Sequence, residues 1–314
     1  MPTKFSHSYI RQLAWMSICL FLLAASMHAQ DEINLKGAID FRVHSRPDSV
    51  ERSIDADDVA VLAKEAGMRA LVLVDHGETT ATLAYEVRKH VPGLEVFGGV
   101  VLNRPMGGIN LANVEEMQAV TGHYGRVVWM PTSDSENYLK TLKQNRPTVP
   151  VVKDGHLLPE VIDVIDFIAK HPQMILATGH ISGNEASMII HEAHARGVKH
   201  IVATNPTGIF PNMSVAQLKQ AVADGAYMEF VYLAVIGNHP QRSLAEYAAS
   251  IRAAGPEHVI LGTDFGEPEP EMPHYRHPEA LLRFMHALHD QGFTVAEINM
   301  MAKTNPASVL ELKP

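Results

Sequence analysis

Cysteine is nearly absent: one residue, Cys19, in a chain of 314. It lies in the N-terminal apolar run, so whatever folds downstream has neither a disulfide nor a thiolate. Any metal there must be held by His, Asp or Glu. Positive charge is also scarce. Lys and Arg number 26 against 35 Asp and Glu, a net charge of −9 with His neutral. No basic run appears, which argues against nucleic acid as a partner. Long apolar runs are missing too. The only candidate, 13–25, is shorter than the ~20 residues a membrane span needs. We find no Gly-rich dinucleotide fingerprint, no low-complexity segment and no domain linker.

That apolar run follows Lys4 and Arg11 and precedes Ser26-Met27-His28-Ala29. A basic start, a short apolar core and a small residue at the end describe a secretory signal peptide, 1–29, cleaved after Ala29. Ile18 before Cys19 is not the small residue a lipid anchor requires. The expected product is an exported, periplasmic or secreted domain, 30–314, with no stable membrane anchor. An uncleaved N-terminal anchor is the alternative.

From residue 37 onward two textures alternate. Eight short, nearly continuous apolar runs (37–44, 70–76, 95–102, 126–132, 174–180, 200–206, 226–232 and 259–266) read as strands buried on both faces. Between them lie amphipathic helical stretches. In 55–68, Val59, Leu62, Ala63 and Ala66 fall at i, i+3, i+4 and i+7, with Gly67 as the stop. The stretches 187–196, 214–224 and 243–254 follow the same plan, each with a Gly after it. Strand, helix and Gly recurring eight times in ~250 residues predict an α/β chain folded as a (β/α)8 TIM barrel in one domain. An open doubly wound sheet is the structural rival. One connection is long: 133–158 reads as an insertion after strand four, with a small strand at 148–152 and a turn at Asp154-Gly155. Helices at 280–290, 295–303 and 307–310 close the chain.

The eight runs end in His44, His76, Asn103, Thr132, His180, Asn205, Glu229 and Asp264. In a TIM barrel those ends share one mouth, where active sites are built. A lone His at a strand end is more often structural. Three His and one Asp at equivalent positions are harder to explain that way, and neutral imidazoles with a carboxylate suit Zn, with Mn or Fe as alternatives.

The segments Asp40-Phe41-Arg42-Val43-His44, Thr178-Gly179-His180 and Gly262-Thr263-Asp264-Phe265 resemble strand-end motifs of the amidohydrolase superfamily. So do Phe97 to Arg104, Val128 to Thr132 and Asp154 to Pro159, which look like an uncharacterised branch of it. The resemblance runs from about Gly37 to Leu312 and rests on the order of short motifs. It implies a metal-dependent hydrolase with one divalent metal held by His44, His180 and Asp264, joined by His76. Asp264 would take a proton from metal-bound water, and His76 would be a fourth ligand or a general acid/base. The chain departs from the pattern twice. Arg42 stands where the first His of His-x-His is expected, and Asn205 where strand six often has His. No Lys or Glu on strand four could bridge two metals.

Arg42 has two readings. It is either a partner of a buried carboxylate (Asp40, Glu229 or Asp264) or a bidentate clamp for a substrate anion. Arg104, His156, Asn205 and Glu229 are further substrate-binding candidates, and His274 and His277 weaker ones. His191, His194, His286 and His289 read as surface or packing residues. The reading reached is a hydrolase cleaving a C–N or C–O bond of a small, anionic substrate. An amidohydrolase-type decarboxylase and a metal-free ligand-binding barrel with a degenerate site are the alternatives, and a homo-oligomer is left open. The leader reading has its own check: intact-mass analysis of exported protein should show a chain starting at Gln30, and a retained Met1 would refute it.

Overall fold

The computed structural model describes residues 32–237, 240–268 and 276–313. The leader, Ala29, Cys19 and His274 lie outside the described residues. All eight barrel strands are present, at the predicted places and somewhat shorter. They are β1 (Ile39–Val43), β2 (Ala70–Leu73), β3 (Glu95–Val101), β4 (Gly125–Trp129), β7 (Ile175–Ala177), β8 (His200–Thr204), β9 (Tyr227–Val231) and β10 (Val259–Gly262). They form one parallel sheet in the order β1-β2-β3-β4-β7-β8-β9-β10. Its two edges meet: Val43 bridges Phe265 in parallel. The His44 amide donates to the Phe265 carbonyl at 2.9 Å, and the Asp264 amide to the Arg42 carbonyl at 3.0 Å. The barrel is closed, and its closing seam carries four of the residues named above.

The strands are mostly apolar because both faces are buried, yet alternate residues go to different places. Leu71 and Leu73, Val128 and Met130, and Leu176 pack with the helices in the larger core. Ala70, Val72 and Val74, Val127 and Trp129, and Ile175 and Ala177 turn inward to a second cluster, joined by Val309 and Leu310 of the last helix. Each large side chain removed from water in this way contributes about 1.5–3 kcal/mol.

Helix starts follow reciprocal caps. Ser182 with Glu185, Ser214 with Gln217, Ser243 with Glu246 and Thr294 with Glu297 each form a capping box. The first of these corrects the reading of 187–196: the helix is Gly183–Ala195, starting where Ser182 satisfies the free amides. The stretch 55–68 forms a helix over Ala56–Glu65. The tail 295–303 is Val295–Asn299 followed by a π-turn, Met300–Thr304.

The insertion also differs in detail. Its hairpin is β5 (Val152–Lys153) and β6 (His156–Leu157), antiparallel, so only the end of the expected 148–152 strand takes part. The turn at Asp154-Gly155 is as read, with φ of 52° and 79°, the left-handed pair a two-residue hairpin needs. Before it lies a short helix, Glu136–Thr141, capped by Ser135.

At the seam, Asp40 is fully buried. Its Oδ1 accepts from the Thr263 amide at 2.8 Å and the Arg42 amide at 3.2 Å, and its Oδ2 from the Thr263 hydroxyl at 2.6 Å. Burial pushes its pKa up to about 7 from 3.8. A folded-state pKa above the unfolded one means Asp40 stabilises the fold below about pH 4, a contribution lost as pH rises to about 7. Asp40→Asn should therefore flatten part of the fall in stability between those pH values. Asp40→Ala should cost ~1–3 kcal/mol by leaving Thr263 and the Arg42 amide unsatisfied. Urea unfolding at several pH values measures both.

Candidate active site

The mouth is built where strands end and the backbone turns sharply. Asp264 has φ of 60°, Asn205 of 39° and Gly179 of 62°. A left-handed backbone costs a non-glycine residue energy, and such residues gather at functional sites. Gly179 has a second reason: a Cβ there would run into the carbonyls of Met130 and Pro131. That turn presents His180.

Arg42 meets Glu229 edge-on. Nε donates to Oε1 at 3.2 Å and Nη2 to Oε2 at 2.6 Å. Both side chains are buried, at 4% and 1% exposure. Nη1 lies 3.8 Å from Asp264 Oδ1. Burial alone would weaken the guanidinium's charge, but Glu229 and then Asp264 hold its pKa above the ordinary value. Burial raises Glu229 above the usual carboxylate range, against the pull of Arg42. Of the two readings of Arg42, the carboxylate partner is the one present. The fork that would have clamped a substrate anion is engaged by Glu229.

His44 Nε2 donates to Asp264 Oδ1 at 3.2 Å. Burial opposes the charge on Asp264, but Arg42 and then His44 hold its pKa well below the usual range. His76 stands beside His44, ring centroids 5.0 Å apart, and 6.3 Å from His180. His76 Nδ1 and the Thr132 hydroxyl are hydrogen-bonded at 2.8 Å. Asn103 Nδ2 donates to that hydroxyl at 2.9 Å, and Asn103 Oδ1 accepts from the Thr132 amide at 2.9 Å. Burial lowers His76 well below its ordinary value. Burial, and then Arg42, lowers His180 to about 3. Both rings are neutral at physiological pH.

The insertion secures His180. Ser135 Oγ and Asn137 Nδ2 donate to its carbonyl at 2.9 and 3.1 Å. Tyr138 and Phe210 stack on its ring at 5.6 and 4.9 Å. On the opposite side His277 Nε2 donates to the His44 carbonyl at 3.2 Å, and burial lowers His277 to about 4. Arg52, which the sequence did not single out, is buried between Asp48 and Glu267, 2.6 Å from each. The signals for Tyr138 and Phe210 are absent from local sequence, since each acts through a partner far along the chain; Arg52 has a local partner in Asp48, four residues away, and a distant one in Glu267.

The remaining candidates are placed as follows. Asn205 Oδ1 accepts from the Tyr247 hydroxyl at 2.5 Å, and that hydroxyl accepts from the Val231 amide at 3.1 Å, so Asn205 is engaged in the wall. Arg104 is exposed and lines a cavity of about 440 Å³ with Thr148, Val149, Leu158 and Glu160. His156 is exposed on the β5–β6 hairpin. Among the described residues neither side chain hydrogen-bonds or ion-pairs with the histidines or Asp264.

Does this donor set fit a divalent cation? Its chemistry does, with neutral imidazoles and an ionised carboxylate. Its placement does not. Two imidazoles sharing a tetrahedral cation, with bonds of ~2.1 Å, have centroids about 5 Å apart. His44 and His76 meet that; His76 and His180 do not. Among the described residues no group of three or more His, Cys, Asp or Glu side chains is arranged to hold a metal ion. The expected site of His44, His76, His180 and Asp264 therefore converges without closing on one point.

A closed eight-stranded parallel barrel with its strand ends gathered at one mouth is a (β/α)8 barrel. Solved structures share this fold. One is an amidohydrolase from Pseudomonas aeruginosa (12% identity, covering 88% of this chain and 96% of that one, TM-score 0.61). Another is the probable dipeptidase PvdM from the same organism (11%, 91% and 97%, TM-score 0.62). A third is a mutant organophosphorus hydrolase from Deinococcus radiodurans (14%, 89% and 97%, TM-score 0.58). No curated protein matches the chain by sequence. The chain belongs to a family of unknown function, DUF6282, whose model matches residues 37–229.

The ion pair at the centre yields a stability prediction. Glu229→Leu strands a buried guanidinium and should cost ~3–5 kcal/mol, whereas Arg42→Met/Glu229→Leu removes both charges and should recover most of that loss. Denaturant unfolding of the two variants decides it; equal losses would mean the pair is not coupled.

Proposed function

We propose that the chain is a hydrolase that opens a C–N or C–O bond of a small, anionic molecule at the barrel mouth. The observation that carries the reading is Asp264. Its carboxylate sits on a left-handed turn at the end of β10, held ionised by Arg42 and by the proton on His44 Nε2. A fixed, charged oxygen at a barrel mouth suits a group that orients an attacking water and takes its proton. His76, neutral and fixed through its Nδ1 by Thr132, is the candidate to hydrogen-bond the substrate, and the proton that Asp264 takes from the water is the one that passes to the leaving group. Tyr138, Phe210 and His180 offer a flat wall for an apolar or planar part of the substrate. Arg104 and His156, exposed on loops after β3 and β4, are the candidates to meet its anionic end. The hydrolase names of the similar structures support this reading, and water activation rests on the chain's own carboxylate.

The decarboxylase alternative would need Arg42 to hold a substrate carboxylate, and its Nε–Nη2 edge is already bound. The leader-like N-terminus supports export, with a small molecule as the partner.

The test is a panel of lactones, phosphotriesters, N-acyl amino acids and dipeptides offered to the purified chain. At least one class should be hydrolysed, and Asp264→Asn should lower kcat/KM by about 10²–10⁴ with the circular dichroism spectrum unchanged. Turnover that survives in Asp264→Asn, or no turnover of any class, would sink the reading.

A further inference from the structure

The mouth gathers two carboxylates, Glu229 at β9 and Asp264 after β10, around a single point of positive charge. That charge belongs to a side chain. Arg42 contacts both Glu229 oxygens at 3.2 and 2.6 Å, and its Nη1 is 3.8 Å from Asp264 Oδ1. Its side chain is buried together with that of Glu229, where solvent screens little. We propose that the Arg42 guanidinium is the resident cation of this mouth and takes the place of a metal ion.

Three further observations bear on this. First, the Asp264 oxygen nearest the guanidinium is the one facing His44. An ion bonded to that oxygen would lie against Nη1 with like charge. Second, His44 Nε2 lies 3.2 Å from Asp264 Oδ1; against a carboxylate, which only accepts, it is the donor, and a nitrogen engaged in that bond is no ligand. Third, a metal-binding His generally donates its other ring N–H to a carbonyl or carboxylate, which fixes its orientation. The Nδ1 atoms of His44 and His180 are buried with no hydrogen-bond partner. For these two rings the outer shell that would orient a metal ligand is missing, whereas the guanidinium has a carboxylate on each of two sides. Arginine suits the role because it stays protonated when buried and binds two carboxylates from one plane.

This inference deepens the reading of the same mouth but is tested by metal content, so it can fail while the hydrolase reading stands, and the reverse. The purified chain is loaded with Zn²⁺ or Mn²⁺, dialysed, and assayed by elemental mass spectrometry and thermal unfolding with and without EDTA. The native chain should retain no stoichiometric metal, and neither zinc nor EDTA should move its Tm. Arg42→His/Glu229→Gln removes the guanidinium without stranding a charge and restores an imidazole. If folded by circular dichroism, it should retain one zinc per chain and gain Tm on zinc addition. One ion per native chain, with Tm lowered by EDTA, overturns the proposal whether or not the variant folds. So does a folded double variant that takes up no zinc.

Discussion

The buried contact between Arg42 and Glu229 joins the first barrel strand, β1, to the seventh, β9, and the rest of the site is disposed around it. Two carboxylates on neighbouring strands, Glu229 within β9 and Asp264 just past β10, would repel one another in a water-poor mouth. A guanidinium between them turns that repulsion into attraction and fixes three strands relative to each other. Asp40 completes the arrangement one turn of the pleat below, taking amide and hydroxyl protons from the far side of the same seam. The place where the barrel closes is thus also where its charge is concentrated.

Away from the guanidinium the site is built from groups kept neutral. Burial lowers His76, His180 and His277, so the mouth holds polar rings without adding to the positive charge. Each ring is positioned by a different part of the chain. Thr132 and Asn103 hold His76, the insertion holds His180, and His277 supports the backbone of His44. The insertion after β4 is therefore a support for the strand-five histidine as well as a covering loop.

The likeness to hydrolases at 11–14% identity shows how little sequence the barrel requires. A parallel barrel demands apolar strands of a certain length, helices that cover them and turns that close them. It leaves the strand ends free to vary. A guanidinium at position 42, paired with Glu229, is accommodated by the fold and sets the charge at its mouth.

The sequence by itself determined the barrel. Continuous apolar runs, helical spacing and terminal glycines are local features, and the eight strands fall where those features put them. It also determined which residues stand at the strand ends, because position along a strand is local too. The cap formed by Ser182 and Glu185, also a local feature, sets the start of the helix at Gly183, four residues before the expected 187. What the tertiary structure decided is how those ends are used. Arg42 and Glu229 are 187 residues apart and His44 and Asp264 are 220 apart. No local pattern says which carboxylate a buried arginine will choose, since that depends on the closing of the barrel. The distances between imidazoles likewise follow from strand tilt, from the left-handed turns at Gly179 and Asp264, and from the stacking of Tyr138 and Phe210. These are properties of packed surfaces, and they separate a set of metal-like residues from a set of metal ligands.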